Sequence, residues 1–194
     1  AIPVLKSGNI PRMERLLAER LVPRAGLHGV LVQVFGIGML IIGESAIGKS
    51  EAALDLVLRG HKLAADDVVM LERSEGGITG RPTDIGAGLL EIRGLGVIDV
   101  KALYGESATI DRCEVGLVVE LEEWKKGVYY SLLGLRERRY KVLGANLPYL
   151  KLPVKPGRNM ATLIEVAARN QMLKERGIYT ARDLNRKLNK RLAR

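Results

Sequence analysis

A glycine-rich run of eight residues constrains the fold and the chemistry of this chain more than any other part of its sequence. The run consists of Gly43, Glu44, Ser45, Ala46, Ile47, Gly48, Lys49 and Ser50, and it matches the phosphate-binding pattern G-x-x-x-x-G-K-[ST] at every fixed position. In this pattern the glycines let backbone N–H groups face phosphate oxygens, the lysine reaches the β- and γ-phosphates, and the hydroxyl ligates Mg²⁺. The run therefore predicts a nucleoside triphosphate site, with a chance match in an ordinary glycine-rich turn as the alternative.

The residues on either side of the run favour a working site. Residues 38–42 are apolar and branched, as in a buried strand, and residues 49–58 have the periodicity of a helix with one apolar face. A strand, a tight loop and a helix N-terminus form an anion site, because the helix dipole and the first N–H groups both favour phosphate. We therefore expect a single α/β domain with a mixed sheet around the phosphate loop and flanking helices.

The rest of the chain supplies further strands and helices by its apolar pattern. Strands are predicted over 30–35 and 39–42, joined as a hairpin that leads into the phosphate loop, and another strand begins at Val68. Residues 115–121 predict an inner strand, whereas prolines limit 147–154 to an edge strand at best. Helices are predicted over 10–21 and 160–174.

Composition narrows the class of protein. The chain has 194 residues, 47% of them hydrophobic, and charged residues interrupt every apolar run before it reaches the roughly 18 residues of a membrane span. A lone cysteine, Cys113, excludes an intramolecular disulfide framework and suits a reducing compartment, so we expect a cytoplasmic protein.

The net charge of +9 indicates an anionic partner without choosing which one. Much of the basic charge lies in the last segment, where Leu184, Leu188 and Leu192 predict an amphipathic helix with a basic outer face. A solvated helix surface explains that charge equally well. Aromatic residues are too few to offer much stacking surface, so no nucleic acid partner is expected.

Three carboxylates are candidates for metal binding or proton transfer. Asp66 and Asp67 stand directly before an apolar strand, where a carboxylate pair can hold Mg²⁺ or accept a hydroxyl proton. A strand cap is the structural alternative, but two adjacent carboxylates against an apolar flank are costly to bury without a cation. Glu91 lies inside an apolar segment and is either a metal ligand or the ion-pair partner of Arg93.

Histidine and loop residues are less specific candidates. His28 and His61, each taken alone, are more often surface or core histidines than functional ones. Residues 153–159 form a rigid basic loop with Lys155 and Arg158 that precedes a helix, which suits either an anion site or an ordinary connection.

Together these segments resemble the catalytic domain of the bacterial HPr kinase/phosphorylase family. The shared segments are His28-Gly29 before a strand, residues 43–51, Arg59-Gly60-His61 leading to Ala65-Asp66-Asp67, residues 89–100, and residues 153–159. The stretch from Glu91 to Gly96 is far more specific than a phosphate loop alone. The resemblance covers most of the chain.

The resemblance implies an activity and its substrates. Members of this family use ATP or pyrophosphate, with Mg²⁺, to phosphorylate a seryl residue of HPr, the phosphocarrier of the sugar phosphotransferase system, and so regulate carbohydrate uptake and metabolism. They also run a phosphorolysis that releases pyrophosphate. A nucleotide-sensing regulator, or a kinase of another substrate on the same fold, is the alternative.

The resemblance also implies roles for individual residues. Asp67 would exchange the seryl proton, His28 would hold phosphate beside it, and Lys49 would stabilise the transferring group. Ser50 and Glu91 would ligate Mg²⁺. The loop of Pro153, Val154, Lys155, Pro156, Gly157 and Arg158 would serve chiefly dephosphorylation.

Two positions depart from the family pattern. Ala46 stands where glycine is usual, which predicts a slightly strained loop. Leu132 stands where the family has a catalytic arginine, so we expect either weak activity or compensation by Arg136, Arg138 or Arg139.

The resemblance further implies a phosphoenolpyruvate carboxykinase-like fold and a homo-oligomer, a hexamer in the family. Members carry an additional N-terminal domain, and this chain begins at Ala1 without methionine. We therefore expect residues 1–194 to be the catalytic domain, either as a fragment or as a member that lacks the other domain.

Overall fold

The computed structural model describes residues 23–127 and 137–192 of the chain. The strands are β1 Arg24–His28, β2 Val30–Val34, β3 Ile37–Gly43, β4 Lys62–Ala65, β5 Val68–Ser74, β6 Gly77–Arg81, β7 Leu89–Ile92, β8 Gly96–Asp99, β9 Cys113–Glu123, β10 Arg138–Val142 and β11 Ala145–Val154. The helices are α1 Lys49–Leu58, α2 Val100–Tyr104, α3 Met160–Glu175 and α4 Thr180–Leu192. The predicted helix over 10–21 lies outside the described residues.

A mixed sheet organises the described part of the chain. Its strands follow the order β1-β5-β6-β9-β3-β2-β4, with β11 added beside β9 and β10 beside β11. The pairs β3/β9 and β9/β11 are parallel, and the other pairs in this sheet are antiparallel. The fold class expected from the sequence, α/β with a mixed sheet, is confirmed.

The parallel strands place two loops at one edge of the sheet. Gly43, where β3 ends, pairs with Leu121 of β9, and Leu121 pairs with Leu152 of β11. The phosphate loop follows β3 and the basic loop follows β11. Because the carboxyl ends of parallel strands meet at one edge, both loops leave the sheet from the same side.

Alternating side chains along the central strands form two apolar cores. On one face Met39, Ile41, Val119 and Leu121 pack with α1 and α3, and on the other Leu40 and Val118 pack with residues of β4, β5 and β6. Continuous apolar sequence in β2 and β3 follows from burial on both faces. Helix α1 is thereby fixed against the sheet through Ala52, Ala53, Leu56 and Val57.

The hairpin, the inner strand and the long helix are confirmed close to their predicted bounds. β2 and β3 pair antiparallel across a turn in which Phe35 and Gly36 have φ of 51° and 89°. β9 is an inner strand that pairs with β3, β6 and β11.

Residues 147–154, predicted to be an edge strand at best, belong to β11, which has two partner strands, each along one half only. β11 lies between β10 and β9, but it pairs with β10 only through Tyr149 and with β9 only from Tyr149 onward. Each proline therefore lies in a half that has a partner strand on one side only. At these positions each half resembles an edge strand, where a proline nitrogen that faces the open side breaks no ladder hydrogen bond.

The basic segment near the C-terminus is helical, as predicted. None of the residues of α4 is buried among the described residues, and Leu184, Leu188 and Leu192 stay exposed. Within the described ranges, no helix combines the length and the apolar character needed to cross a membrane.

Candidate active site

In the phosphate loop, the lysine side chain is hydrogen-bonded to backbone carbonyl groups of the loop itself. The ammonium of Lys49 donates to the carbonyl oxygens of Gly43 at 3.1 Å and Glu44 at 3.0 Å, and the side chain is buried. An ammonium group has three N–H donors, so one remains free to point out of the loop. Helix α1 begins at this lysine, which aims the helix N-terminus and the free donor at the same space.

Two loop residues have left-handed backbone. Gly48, the N-cap of α1, has φ of 98°, and Ala46 has φ of 66°. A residue with a Cβ is strained in this region, whereas glycine is not. The strain expected at Ala46 is therefore present in the loop.

Asp66 connects the phosphate loop to the hairpin β7–β8. Its carboxylate accepts a hydrogen bond from the Ser50 hydroxyl at 3.0 Å and another from the backbone N–H of Glu91 at 2.9 Å. Burial raises the pKa of Asp66 despite these hydrogen bonds. Asp66 thus holds Ser50 and Glu91 in fixed relation, a role that its sequence context alone did not distinguish from a strand cap.

Asp67 and His28 form a pair on neighbouring elements. Nδ1 of His28 lies 3.1 Å from Oδ1 of Asp67, and both side chains are more than half exposed. The pair is set by the β1/β5 register, which places His28 opposite Val68, and by the hydrogen bond from Gly29 N–H to the Asp67 carbonyl at 3.0 Å. The pair therefore presents an imidazole and a carboxylate side by side and open to solvent.

These residues line one cleft of about 140 Å³. The cleft brings together most of the predicted site, and its lining also includes Glu51 and Arg93, for which no role in the cleft is predicted. The sequence leaves Glu91 as either a metal ligand or the ion-pair partner of Arg93, and no ion pair joins the two in the described ranges. Arg93 lies in the turn directly after β7, so its nearness to Glu91 in the sequence is the signal for its place beside the cleft.

The oxygen donors of the cleft fit a Mg²⁺ ion. Mg²⁺ prefers carboxylate, hydroxyl and phosphate oxygens and usually keeps several waters, so a few protein ligands suffice. The Ser50 hydroxyl donates its proton to Asp66, which leaves its lone pairs available to a metal. The Glu91 carboxylate lines the same cleft. Among the described residues no cluster of three or more acidic, histidine or cysteine side chains could hold a metal ion by itself.

The basic loop does not line this cleft. Its residues form a turn closed by hydrogen bonds from Arg158 Nη1 to the Pro153 carbonyl at 3.1 Å and from Arg158 N–H to the Lys155 carbonyl at 3.1 Å. The ammonium of Lys155 lies 5.6 Å from the centre of the Trp124 ring. The loop leaves the same edge of the sheet as the phosphate loop but stays outside the group of cleft residues.

Arg138 and Arg139, two of the arginines expected to compensate for Leu132, do not line the cleft either. Arg138 and Arg139 belong to β10 and line a second cavity of about 490 Å³ between the sheet and α3. Leu132 and Arg136 lie outside the described residues.

Comparison with known proteins assigns this chain to a family. A family model described as the HPr Serine kinase C-terminal domain matches residues 19–188. The chain belongs to this family.

Relatives within the family match most of the length of this chain. The HPr kinase/phosphorylase of Geobacter sulfurreducens is 46% identical over 187 residues, covering 96% of this chain and 59% of the relative. That of Clostridium tetani is 48% identical over 159 residues, covering 82% of this chain and 52% of the relative. The chain thus spans a little over half the length of these curated relatives.

A solved structure from Coxiella burnetii, described as the Hpr(Ser) kinase/phosphatase, has the same fold. It superposes with a TM-score of 0.74 at 36% identity and covers 79% of this chain and 93% of the other. The family-level resemblance drawn from the sequence is therefore confirmed.

Proposed function

We propose that this protein is a bifunctional kinase and phosphorylase acting on a seryl residue of HPr, with ATP or pyrophosphate as donor and Mg²⁺ bound by Ser50 and Glu91. Its role would be to regulate carbohydrate uptake and metabolism. The observation that carries the proposal is the convergence of the phosphate loop, Asp66, Glu91 and the His28–Asp67 pair on one cleft. Family membership supports the same conclusion. The bound Mg²⁺ would neutralise phosphate charge.

In the kinase direction, the seryl oxygen attacks the γ-phosphorus of ATP, Asp67 accepts the hydroxyl proton, and ADP leaves. In phosphorolysis, an oxygen of inorganic phosphate attacks the phosphoserine phosphorus, the seryl O–P bond breaks, and the seryl oxygen takes a proton from Asp67. Pyrophosphate is released. His28 beside Asp67 suits the binding of that phosphate, and the free donor of Lys49 suits the transferring group.

The two aspartates would have different tasks. Asp67 is exposed and paired with a histidine, as a proton-exchanging group requires, whereas Asp66 is hydrogen-bonded to Ser50 and Glu91. Asp66 is therefore a positioning residue for the nucleotide and metal side of the cleft.

The experiment incubates the protein with labelled ATP, Mg²⁺ and HPr and compares Asp67→Asn with Asp66→Asn. Asparagine tolerates the left-handed backbone of residue 67, where φ is 64°, so this variant changes chemistry without backbone strain. We expect Asp67→Asn to lose at least about 100-fold in the rate of transfer while binding Mg-ATP normally, since an amide cannot accept the proton.

Asp66→Asn should mainly weaken Mg-ATP binding, because it disturbs the support of Ser50. The reverse order of effects would contradict the assignment of Asp67. Transfer to serine by the wild type with no dependence on residue 67 would contradict it as well. Binding of ATP without any transfer to HPr would favour the nucleotide-sensing alternative, or a kinase of another substrate.

We also propose a cytoplasmic location, which the composition favours. The family resemblance favours a homo-oligomer and residues 1–194 as the catalytic domain. Cys113 is buried, and burial raises the pKa of its thiol to about 11, so the thiol is protonated and unreactive at neutral pH. That property suits a structural role in a reducing compartment.

A further inference from the structure

The motif Arg59-Gly60-His61 has no part in the cleft, yet its side chains form a polar cluster with the beginning of α3. Arg59 Nη1 donates to Glu165 Oε2 at 2.9 Å, and His61 Nε2 lies 3.0 Å from Glu165 Oε1. Arg59 Nη2 donates to Asn159 Oδ1 at 3.2 Å. We call Arg59, His61, Asn159 and Glu165 the α1–α3 latch.

Burial and packing give the latch a fixed geometry. The His61 side chain is only 7% exposed, and its ring meets Phe35 edge to face at 4.7 Å between centroids. The guanidinium of Arg169 covers Phe35 at 3.8 Å from the ring centre. Burial by itself raises the pKa of Glu165. Hydrogen bonds from His61 and Arg59 outweigh this effect and hold that pKa below its ordinary value. The latch is therefore a charged, hydrogen-bonded contact with α3 that packs on the apolar ring of Phe35.

The latch lies between two functional loops. Helix α1 begins at Lys49 of the phosphate loop, and Arg59 follows its last residue. Asn159 follows Arg158 of the basic loop directly and is the N-cap of α3, where its side chain accepts from Thr162 N–H at 2.8 Å. The same Asn159 oxygen receives the bond from Arg59.

Both ends of the basic loop are thus fixed. At the β11 end, the Val154 carbonyl accepts a hydrogen bond from Trp124 N–H at 3.0 Å, which ties the loop to the sheet. At the α3 end, Asn159 is tied to α1 by Arg59. A loop held between the sheet and the phosphate-loop helix keeps a set position relative to the phosphate loop.

We propose that Arg59 and His61 are positioning residues that, through Glu165 and Asn159, fix residues 153–158 relative to the phosphate loop for the phosphorolysis step. The inference rests on the proposed function and on the expectation, implied by the family resemblance, that the basic loop serves dephosphorylation. Because misplacement by about 1 Å can cost up to about 100-fold in rate, loosening the latch lowers phosphorolysis selectively.

The test compares Arg59→Ala and Asn159→Ser with the wild type in two assays, phosphorolysis of phosphoserine HPr by inorganic phosphate and phosphorylation of HPr by ATP. Asn159→Ser keeps a good N-cap for α3, but the shorter side chain does not reach Arg59. Arg24→Ala is the matched control, because Arg24 pairs with Glu72 at 3.0 Å with similar exposure and lies at the far end of β1 from His28.

We expect both latch variants to lower kcat for phosphorolysis about tenfold, to change ATP-dependent phosphorylation less than about twofold, and to leave the Kd for Mg-ATP unchanged. Arg59→Lys, which can keep one of the two bonds, should restore part of the rate. Equal losses in both assays, or no loss in phosphorolysis, would overturn the proposal.

Hydrogen exchange separates failure of the latch from failure of the proposed function. If the wild type lacks both activities, the proposed function is wrong, and exchange at the backbone amides of residues 154, 155 and 157–159 decides the inference. Faster exchange there in Arg59→Ala than in Arg24→Ala supports positioning by the latch. Equal exchange rates overturn it.

Discussion

Two residues of the cleft have backbone conformations that ordinary side chains avoid. Asp67 tolerates its left-handed φ because a short polar side chain can bond locally, whereas Ala46 has no such compensation. The sequence identified Ala46 as unusual only through a family pattern. The sequence could not show which neighbours force the left-handed conformation of Ala46, because the loop closes around Lys49 through hydrogen bonds to backbone carbonyl groups.

Ala46→Gly should stabilise the protein by about 1 kcal/mol. The gain is the relief of about 1–2 kcal/mol of left-handed strain, less the greater flexibility of glycine in the unfolded chain. Urea denaturation measures the change. The matched control Ala52→Gly, inside α1, should instead cost about 1 kcal/mol or more, because helix propensity and buried contacts are lost. Destabilisation by Ala46→Gly would show that the loop is unstrained.

Residues of the cleft could be predicted from the sequence where their chemistry depends on a local pattern of residue types. The phosphate loop, Asp66, Asp67 and Glu91 follow from residue type and spacing, and the structure brings them to one cleft. The division of labour between the aspartates was not predictable bottom-up, because it depends on which one meets Ser50 across 16 residues of chain.

Between elements, the joint of α1 with α3 combines an apolar contact with the latch. Ala53 and Leu56 share a core with Ile164 and Ala168, and the polar cluster covers that contact. Helical periodicity predicted each apolar face. It could not predict the polar pairing, because Arg59 and Glu165 are separated by 106 residues.

The latch predicts a pH dependence of stability. Because the folded pKa of Glu165 is lowered from 4.5, its contribution is fully present above pH 4.5 and is lost as the pH falls through the folded value. We expect the free energy of unfolding of the wild type, minus that of Glu165→Gln, to decrease as the pH drops below 4.5. Urea denaturation of both proteins across this range checks it. A difference that is constant with pH would mean that the carboxylate charge does not matter.

The prolines of β11 illustrate a limit of local pattern. Proline argues against an inner strand because its nitrogen cannot donate a ladder hydrogen bond to a strand that it faces. The change of partner at Tyr149 leaves each proline with one open side, and it arises from the arrangement of β9 and β10 rather than from residues near the prolines.

For the whole molecule, nucleotide binding is coupled to folding, because the phosphate loop is tied to the central strand β3 and to α1. A ligand that binds only the folded state at about 100 times its Kd adds about 2.7 kcal/mol to the free energy of unfolding. We expect Mg-ATP to do this for the wild type in urea denaturation. Lys49→Ala should show no gain at the same ligand concentration, because the donor to the phosphates is lost. An equal gain in both proteins would place the nucleotide elsewhere.

The change of partner along β11 also divides the molecule mechanically. In the antiparallel pair with β10, tension applied at the open end of the hairpin loads one residue pair at a time, so the strands peel apart. In the parallel pair with β9, tension along the strands loads residues 149–154 together in shear. A force transmitted through the basic loop therefore acts first on residues 149–154, the half of β11 that is loaded in shear. The half paired with β10, which peels apart more easily and borders the second cavity, lies on the other side of Tyr149.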